Sequence, residues 1–167
     1  MNRMMKRSKI IALMVLFLSL TACRSLPTSS MPVVSIEKVA ELGGVVRISL
    51  PIKIHHAQFQ YFYYDEHGGT MWDTKAVDLF PADVFVSYDP DTQTARIFLA
   101  RSPHMGCLMN WNPEVRKFED PCFGSRFAID GAYESGPSPR GLDELPAEIK
   151  DGMIWVKNQV IYGQEHR

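Results

Sequence analysis

The stretch Ser102-Pro103-His104-Met105-Gly106-Cys107, followed after twelve residues by Asp120-Pro121-Cys122-Phe123-Gly124-Ser125-Arg126-Phe127, decides how this chain is read. Proline and glycine punctuate both halves, so each reads as a loop carrying one cysteine. Working outward, short alternating strands surround these loops. Val84 to Tyr88 and Ala95 to Ala100 flank Asp89-Pro90-Asp91-Thr92, a hairpin signal. Phe127 to Ile129 and Ala132-Tyr133 flank the turn Asp130-Gly131. Upstream, Val45 to Ile54 sets Val46, Ile48 and Leu50 against Arg47 and Ser49, with Pro51 marking an edge or a bend. Phe59 to Tyr64 places Phe59, Tyr61 and Tyr63 on one face and Gln60, Phe62 and Tyr64 on the other, before His67-Gly68-Gly69 turns the chain. Glu148 to Val156 and Gln159 to Tyr162 predict two more strands, and weak helical turns are expected around Val39 to Leu42 or Trp72 to Val77. The expected class is all-β, an antiparallel sandwich or barrel of about eight to ten short strands.

The 167 residues suit one ordinary domain, and 46% hydrophobic with 22% charged residues argues against disorder and against several membrane spans. Of the 18 basic residues, Arg3, Lys6, Arg7 and Lys9 lie in the first nine positions; the rest of the chain has 14 against 19 acidic, a charge of about -5. That sign removes nucleic acid from the expected partners. The positive start precedes Ile10 to Leu20, an apolar run broken by Ser19 alone and too short to span a bilayer. Leu20-Thr21-Ala22-Cys23 then resembles the bacterial lipobox, in which the cysteine is acylated; the alternative is an ordinary secretion signal with a fortuitous cysteine. The organisation expected is a signal peptide at 1–22, a Ser/Pro-rich tether at 23–32 with the lipid on Cys23, and one domain at 33–167, exported and held at a bacterial membrane. Lipidation of Cys23 leaves Cys107 and Cys122, which outside the cytoplasm either pair or remain two free thiols. Pairing would close a loop of about 16 residues, worth roughly 3 kcal/mol in the chain-entropy picture.

The two loops together resemble the Rieske iron–sulfur family. Asn110-Trp111-Asn112-Pro113, Lys117-Phe118 and Ile129-Asp130-Gly131 extend the likeness, as does Gly136-Pro137-Ser138-Pro139-Arg140-Gly141-Leu142, which is similar to the family's proline loop. Lys150-Asp151-Gly152 with Ile154-Trp155-Val156 resembles its closing hairpin, and the likeness covers about 84–156. It implies a base sheet with a small cluster-binding-like subdomain at about 101–142. It also implies a disulfide between Cys107 and Cys122.

A Rieske centre holds one iron with two thiolates and the other with two histidines. The resemblance puts these ligand positions at Ser102, His104, Asp120 and Phe123, of which only His104 keeps the family's residue. No cofactor is therefore expected, and no metal ligand set; [2Fe–2S] is the family's cofactor and the alternative. The replacements read as repair, with Phe123 filling the vacated space and Asp120 accepting a hydrogen bond from His104 or Ser102. His104 and Asp120 also form a familiar acid/base pair, but no nucleophile or oxyanion donor accompanies them, and no catalytic residue or enzyme activity is expected. His55 and His56 are neighbours that point to opposite faces of a strand and cannot chelate jointly. The function expected is a non-redox accessory or binding module of a respiratory or photosynthetic membrane complex. The alternatives are an electron carrier of the quinol–cytochrome c type with atypical ligation, and a small-ligand binder.

Overall fold

The computed structural model describes residues Ser30 to His166. The signal segment, Cys23 and the tether up to residue 29 lie outside the described residues. Strand β1 (Ser30–Ser35) already begins within the stretch read as tether. It is followed by the only helix among the described residues, α1 (Ile36–Glu41), where the Ser35 side chain caps the start by accepting from the Lys38 amide. No helix among the described residues is long and apolar enough to cross a membrane.

Everything else is short antiparallel strand, without a closed barrel among the described residues. The central sheet has the order β11 (Glu144–Leu145), β6 (Thr94–Leu99), β5 (Ala82–Asp89) and β2 (Val45–Leu50). A three-stranded sheet joins β1 to β13 (Met153–Lys157) and β12 (Ala147–Lys150). The long hairpin β3 (Ile54–Tyr64) and β4 (Thr70–Leu79) pairs with itself. The subdomain contributes β7 (Asn110–Asn112), β8 (Lys117–Glu119), β9 (Arg126–Ala128) and β10 (Tyr133–Ser135), in the order β10-β9-β8-β7.

Period-two alternation explains how these layers stack. On β5, Val84 and Val86 enter one core with Leu50, Phe59, Ile97, Leu99 and Ile154, while Phe85 between them enters a second. On β6, Ile97 and Leu99 face the first core and Phe98 the second. The second core holds Phe118, Phe127, Met109 and Leu142, and its rings pack edge to face and tilted, with Phe98 and Phe118 centroids 5.7 Å apart and Phe85 and Phe118 4.9 Å apart. The central sheet is thus buried on both faces, and the subdomain is seated on one of them. Gly136 is needed where the proline loop meets the second loop: its φ is +100° and a Cβ there would stand 2.5 Å from the Ser125 Cα.

Three elements differ from expectation. Glu148 to Val156, expected as one strand, turns between Lys150 and Met153 and pairs with itself as the hairpin of β12 and β13. Trp72 to Val77 is strand, because it pairs along the whole of β3; long-range pairing overrides weak local propensity. Gln159 to Tyr162 forms no strand, only an isolated bridge between Glu144 and Ile161, so the tail lies along β11 without extending the sheet.

Candidate functional site

The first loop is closed by its own backbone: the Ser102 amide donates to the Cys107 carbonyl at 2.8 Å and the Gly106 amide to the Ser102 carbonyl at 3.1 Å. Met105 and Gly106 both take left-handed φ, 62° and 69°, which turns the chain sharply beneath the loop. The loop is also added to β3, since the Gln60 amide donates to the Pro103 carbonyl and the Met105 amide to the Gln60 carbonyl, both at 2.8 Å. The second loop is closed by Asp120 and Ser125, and the Gly124 amide returns to the Asp120 carbonyl at 2.9 Å. Cys107 and Cys122 are joined by a disulfide that ties one loop to the other.

The proline loop holds the second loop and β3. Ser125 Oγ accepts from the Ser138 amide, and Ser138 Oγ donates to the Arg140 carbonyl. Arg140 is buried in a two-pronged pair with Asp143, Nε to Oδ1 at 2.8 Å and Nη2 to Oδ2 at 2.7 Å, and Nη2 also donates to the Gln58 carbonyl at 2.7 Å. The Tyr162 ring lies 5.3 Å from this guanidinium, and the Gly163 amide donates to Asp143 Oδ1. The buried charge is therefore matched by a carboxylate and further hydrogen bonds.

Ser102, His104 and Asp120 are brought together and buried, each exposed by 2% or less, whereas Phe123 is 42% exposed. Phe123 does not fill a cavity; its ring stands on the His104 imidazole edge to face, with centroids 4.9 Å apart. Nor does the polar cluster pair as expected. The His104 amide donates to Ser102 Oγ at 3.3 Å, and the ring Nδ1 lies 3.4 Å from Gln60 Oε1. Asp120 Oδ1 instead accepts from the Cys122 and Phe123 amides at 2.9 and 3.2 Å, and Oδ2 is buried without a hydrogen-bond partner. The physical reason is local: a loop aspartate satisfies the amides two and three residues on before it reaches a more distant side chain. Burial pushes the His104 imidazole below its ordinary value, and the Asp120 carboxylate partly opposes this.

Two residues of this site were not singled out as such in the sequence. Gln60 meets the His104 ring, and Trp72 covers it with centroids 5.3 Å apart. Phe62 backs Trp72 at 5.7 Å. Strand alternation did put Gln60 and Phe62 on a common face of β3; what that face meets is a contact 44 residues away.

No model of a protein family matches the chain. Curated relatives do. Cytochrome b6-f complex iron-sulfur subunit 2 of Trichormus variabilis is 40% identical over 55 residues, 33% of this chain and 31% of that protein. The chloroplastic cytochrome b6-f complex iron-sulfur subunit of Bigelowiella natans is 35% identical over 89 residues, 51% of this chain and 35% of that protein. The chain spans about a third of the length of these relatives. Among solved structures, the plasma membrane Rieske protein PetC3 of Synechocystis PCC 6803 superposes with a TM-score of 0.50 at 19% identity, covering 76% of this chain and 98% of that one. The soluble domain of Rieske protein II of Sulfolobus acidocaldarius gives 0.50 at 16%, covering 80% and 79%. The chain has the fold of these Rieske proteins.

These relatives correct the expectation that no cofactor belongs here. They are iron–sulfur subunits, so the [2Fe–2S] cluster is the group against which this site is judged. The four positions that the resemblance reads as ligand positions, Ser102, His104, Asp120 and Phe123, offer one hydroxyl, one imidazole, one carboxylate and one phenyl ring. The hydroxyl is engaged by the His104 amide, the phenyl ring has no donor atom, and a carboxylate is a hard ligand where the family uses soft thiolate. The residues present do not fit a centre held by two thiolates and two imidazoles.

Proposed function

We propose that this Rieske-fold domain is an accessory, partner-binding module of a membrane complex of the respiratory or photosynthetic kind, held to an exported membrane face by a lipid on Cys23. Its tip makes contacts there instead of passing an electron. One observation carries this reading: His104, at the position where the family exposes a ligand histidine, is 2% exposed and lies under Trp72 and Phe123, which are themselves 50% and 42% exposed. Half-exposed aromatic rings on a rigid base are what a partner surface uses as anchors. The cytochrome b6-f membership of the relatives supports a membrane complex as the partner class.

The test is affinity purification of the full-length chain from detergent-solubilised membranes. A defined complex is expected to accompany the wild type, to be depleted with the W72A/F123A double variant, and to be lost with C23S. Retention of the same complex by W72A/F123A, or its absence from the wild type, overturns the proposal. The second reading, an electron carrier with atypical ligation through His104, is favoured by the iron–sulfur identity of the relatives. It predicts two irons and two acid-labile sulfides per chain, and a low-temperature paramagnetic signal on reduction that H104A abolishes.

A further inference from the structure

Asp120 brings to the two loops something that the disulfide hides. Its carboxylate and the sulfurs of Cys107 and Cys122 offer three ligand atoms that all lie within 4.8 Å of one another. The carboxylate is already fixed in place, because Oδ1 accepts from the Cys122 and Phe123 amides. Its other oxygen, Oδ2, is buried with no hydrogen-bond partner, and Asp120 as a whole is 2% exposed. A buried carboxylate oxygen left unpaired is costly, and a cation is one group that relieves it.

We infer that the Cys107–Cys122 disulfide gates a metal site: once it is reduced, the two thiolates and Asp120 bind a single soft divalent cation of the zinc type. This goes beyond the docking reading and does not depend on it. The sulfur–sulfur bond breaks by taking two electrons from a dithiol, which is itself oxidised to a disulfide; its two protons pass to Cys107 and Cys122. Metal binding then displaces those two thiol protons into solvent. The geometry suits this. Zinc–sulfur bonds of about 2.3 Å at a tetrahedral angle put two ligand sulfurs roughly 3.8 Å apart, so the sulfurs move apart once the bond between them is broken. Two thiolates and one carboxylate leave a fourth position for water on the open side, where Cys122 is exposed. The same exposure gives a reducing thiolate its line of attack. In the oxidised chain neither sulfur is a thiolate, so two of the three ligands are missing and the site is closed.

The experiment uses the full chain, reduced with a phosphine that is then removed, and titrated anaerobically with cobalt(II) and with zinc(II) against a competing chelator. Near-ultraviolet circular dichroism monitors the fold. Reduced wild type is expected to take up one ion per chain, with thiolate-to-cobalt charge-transfer absorption and the strong visible bands of four-coordinate cobalt. The oxidised wild type is expected to show neither. D120N, which keeps the shape and the disulfide, is expected to bind on the order of 10–100-fold more weakly after reduction, at least what loss of a supporting partner costs a metal site. C107S/C122S is expected to lose the charge-transfer band entirely. The inference is overturned if reduced wild type binds no stoichiometric ion, if it loses its tertiary signal and metal does not restore it, or if D120N binds as tightly as wild type.

Discussion

Enclosure by Trp72, Phe123 and Gln60 holds the His104 imidazole below its ordinary value of about 6.5, while the Asp120 carboxylate pulls the other way. The unfolded chain therefore binds this proton at a higher pH than the folded one. The stability linked to His104 is complete above about 6.5 and is lost as the pH falls from there through the folded value. Two substitutions separate the opposing causes. D120N removes the attraction and is expected to move the His104 titration to still lower pH, followed by the imidazole resonances in a nuclear magnetic resonance titration. W72A opens the site to water and is expected to move it up towards 6.5. A D120N titration that does not move would show that the carboxylate is not felt at the ring.

Among the elements, the hairpin of β12 and β13 is fastened by one carboxylate between two ammonium groups. Glu148 accepts from Lys150 at 2.6 Å and also pairs with Lys157, and these contacts hold its carboxyl down to about 2 against an ordinary 4.5. A depressed carboxylate stabilises above its ordinary value and stops doing so as the pH falls towards the folded one. E148Q is expected to flatten the acid loss of stability between about 4.5 and 2, measured by denaturant unfolding at a series of pH values. The difference should shrink in salt, because the group is exposed and screened. The proline loop responds differently. R140A leaves Asp143, 1% exposed, without its counter-ion, and an uncompensated buried charge costs about 3–5 kcal/mol, read as a lower urea midpoint at unchanged slope.

At the scale of the molecule, two aromatic and aliphatic cores lie on opposite faces of one sheet, and the loop pair hangs from the second core by β7 to β10. The disulfide spans a sequence separation of 15, for which the chain-entropy picture gives about 3 kcal/mol. C107S/C122S is expected to lower the unfolding free energy by that amount while leaving the domain folded, since domains of this kind hold about 5–15 kcal/mol. A loss well below 1 kcal/mol would mean that Arg140, Ser125 and the Gln60 backbone already constrain the loops without it.

Most of this architecture is legible along the chain, because strand alternation and turn chemistry are local. Val84, Phe85 and Val86 announce a strand by pattern, Asp130-Gly131 announces its turn, and the two cysteine-bearing loops carry the resemblance that pointed to the fold. The donor atoms that Ser102, His104, Asp120 and Phe123 can offer are legible for the same reason, since which atoms a side chain carries is a property of the residue alone. What surrounds those atoms is not. Gln60 and Trp72 reach His104 across more than thirty residues of chain, Asp120 prefers its neighbouring amides to the imidazole, and Phe123 turns outward as a cover. Each of these is a competition among partners that only packing brings within reach, so the tertiary structure decided them.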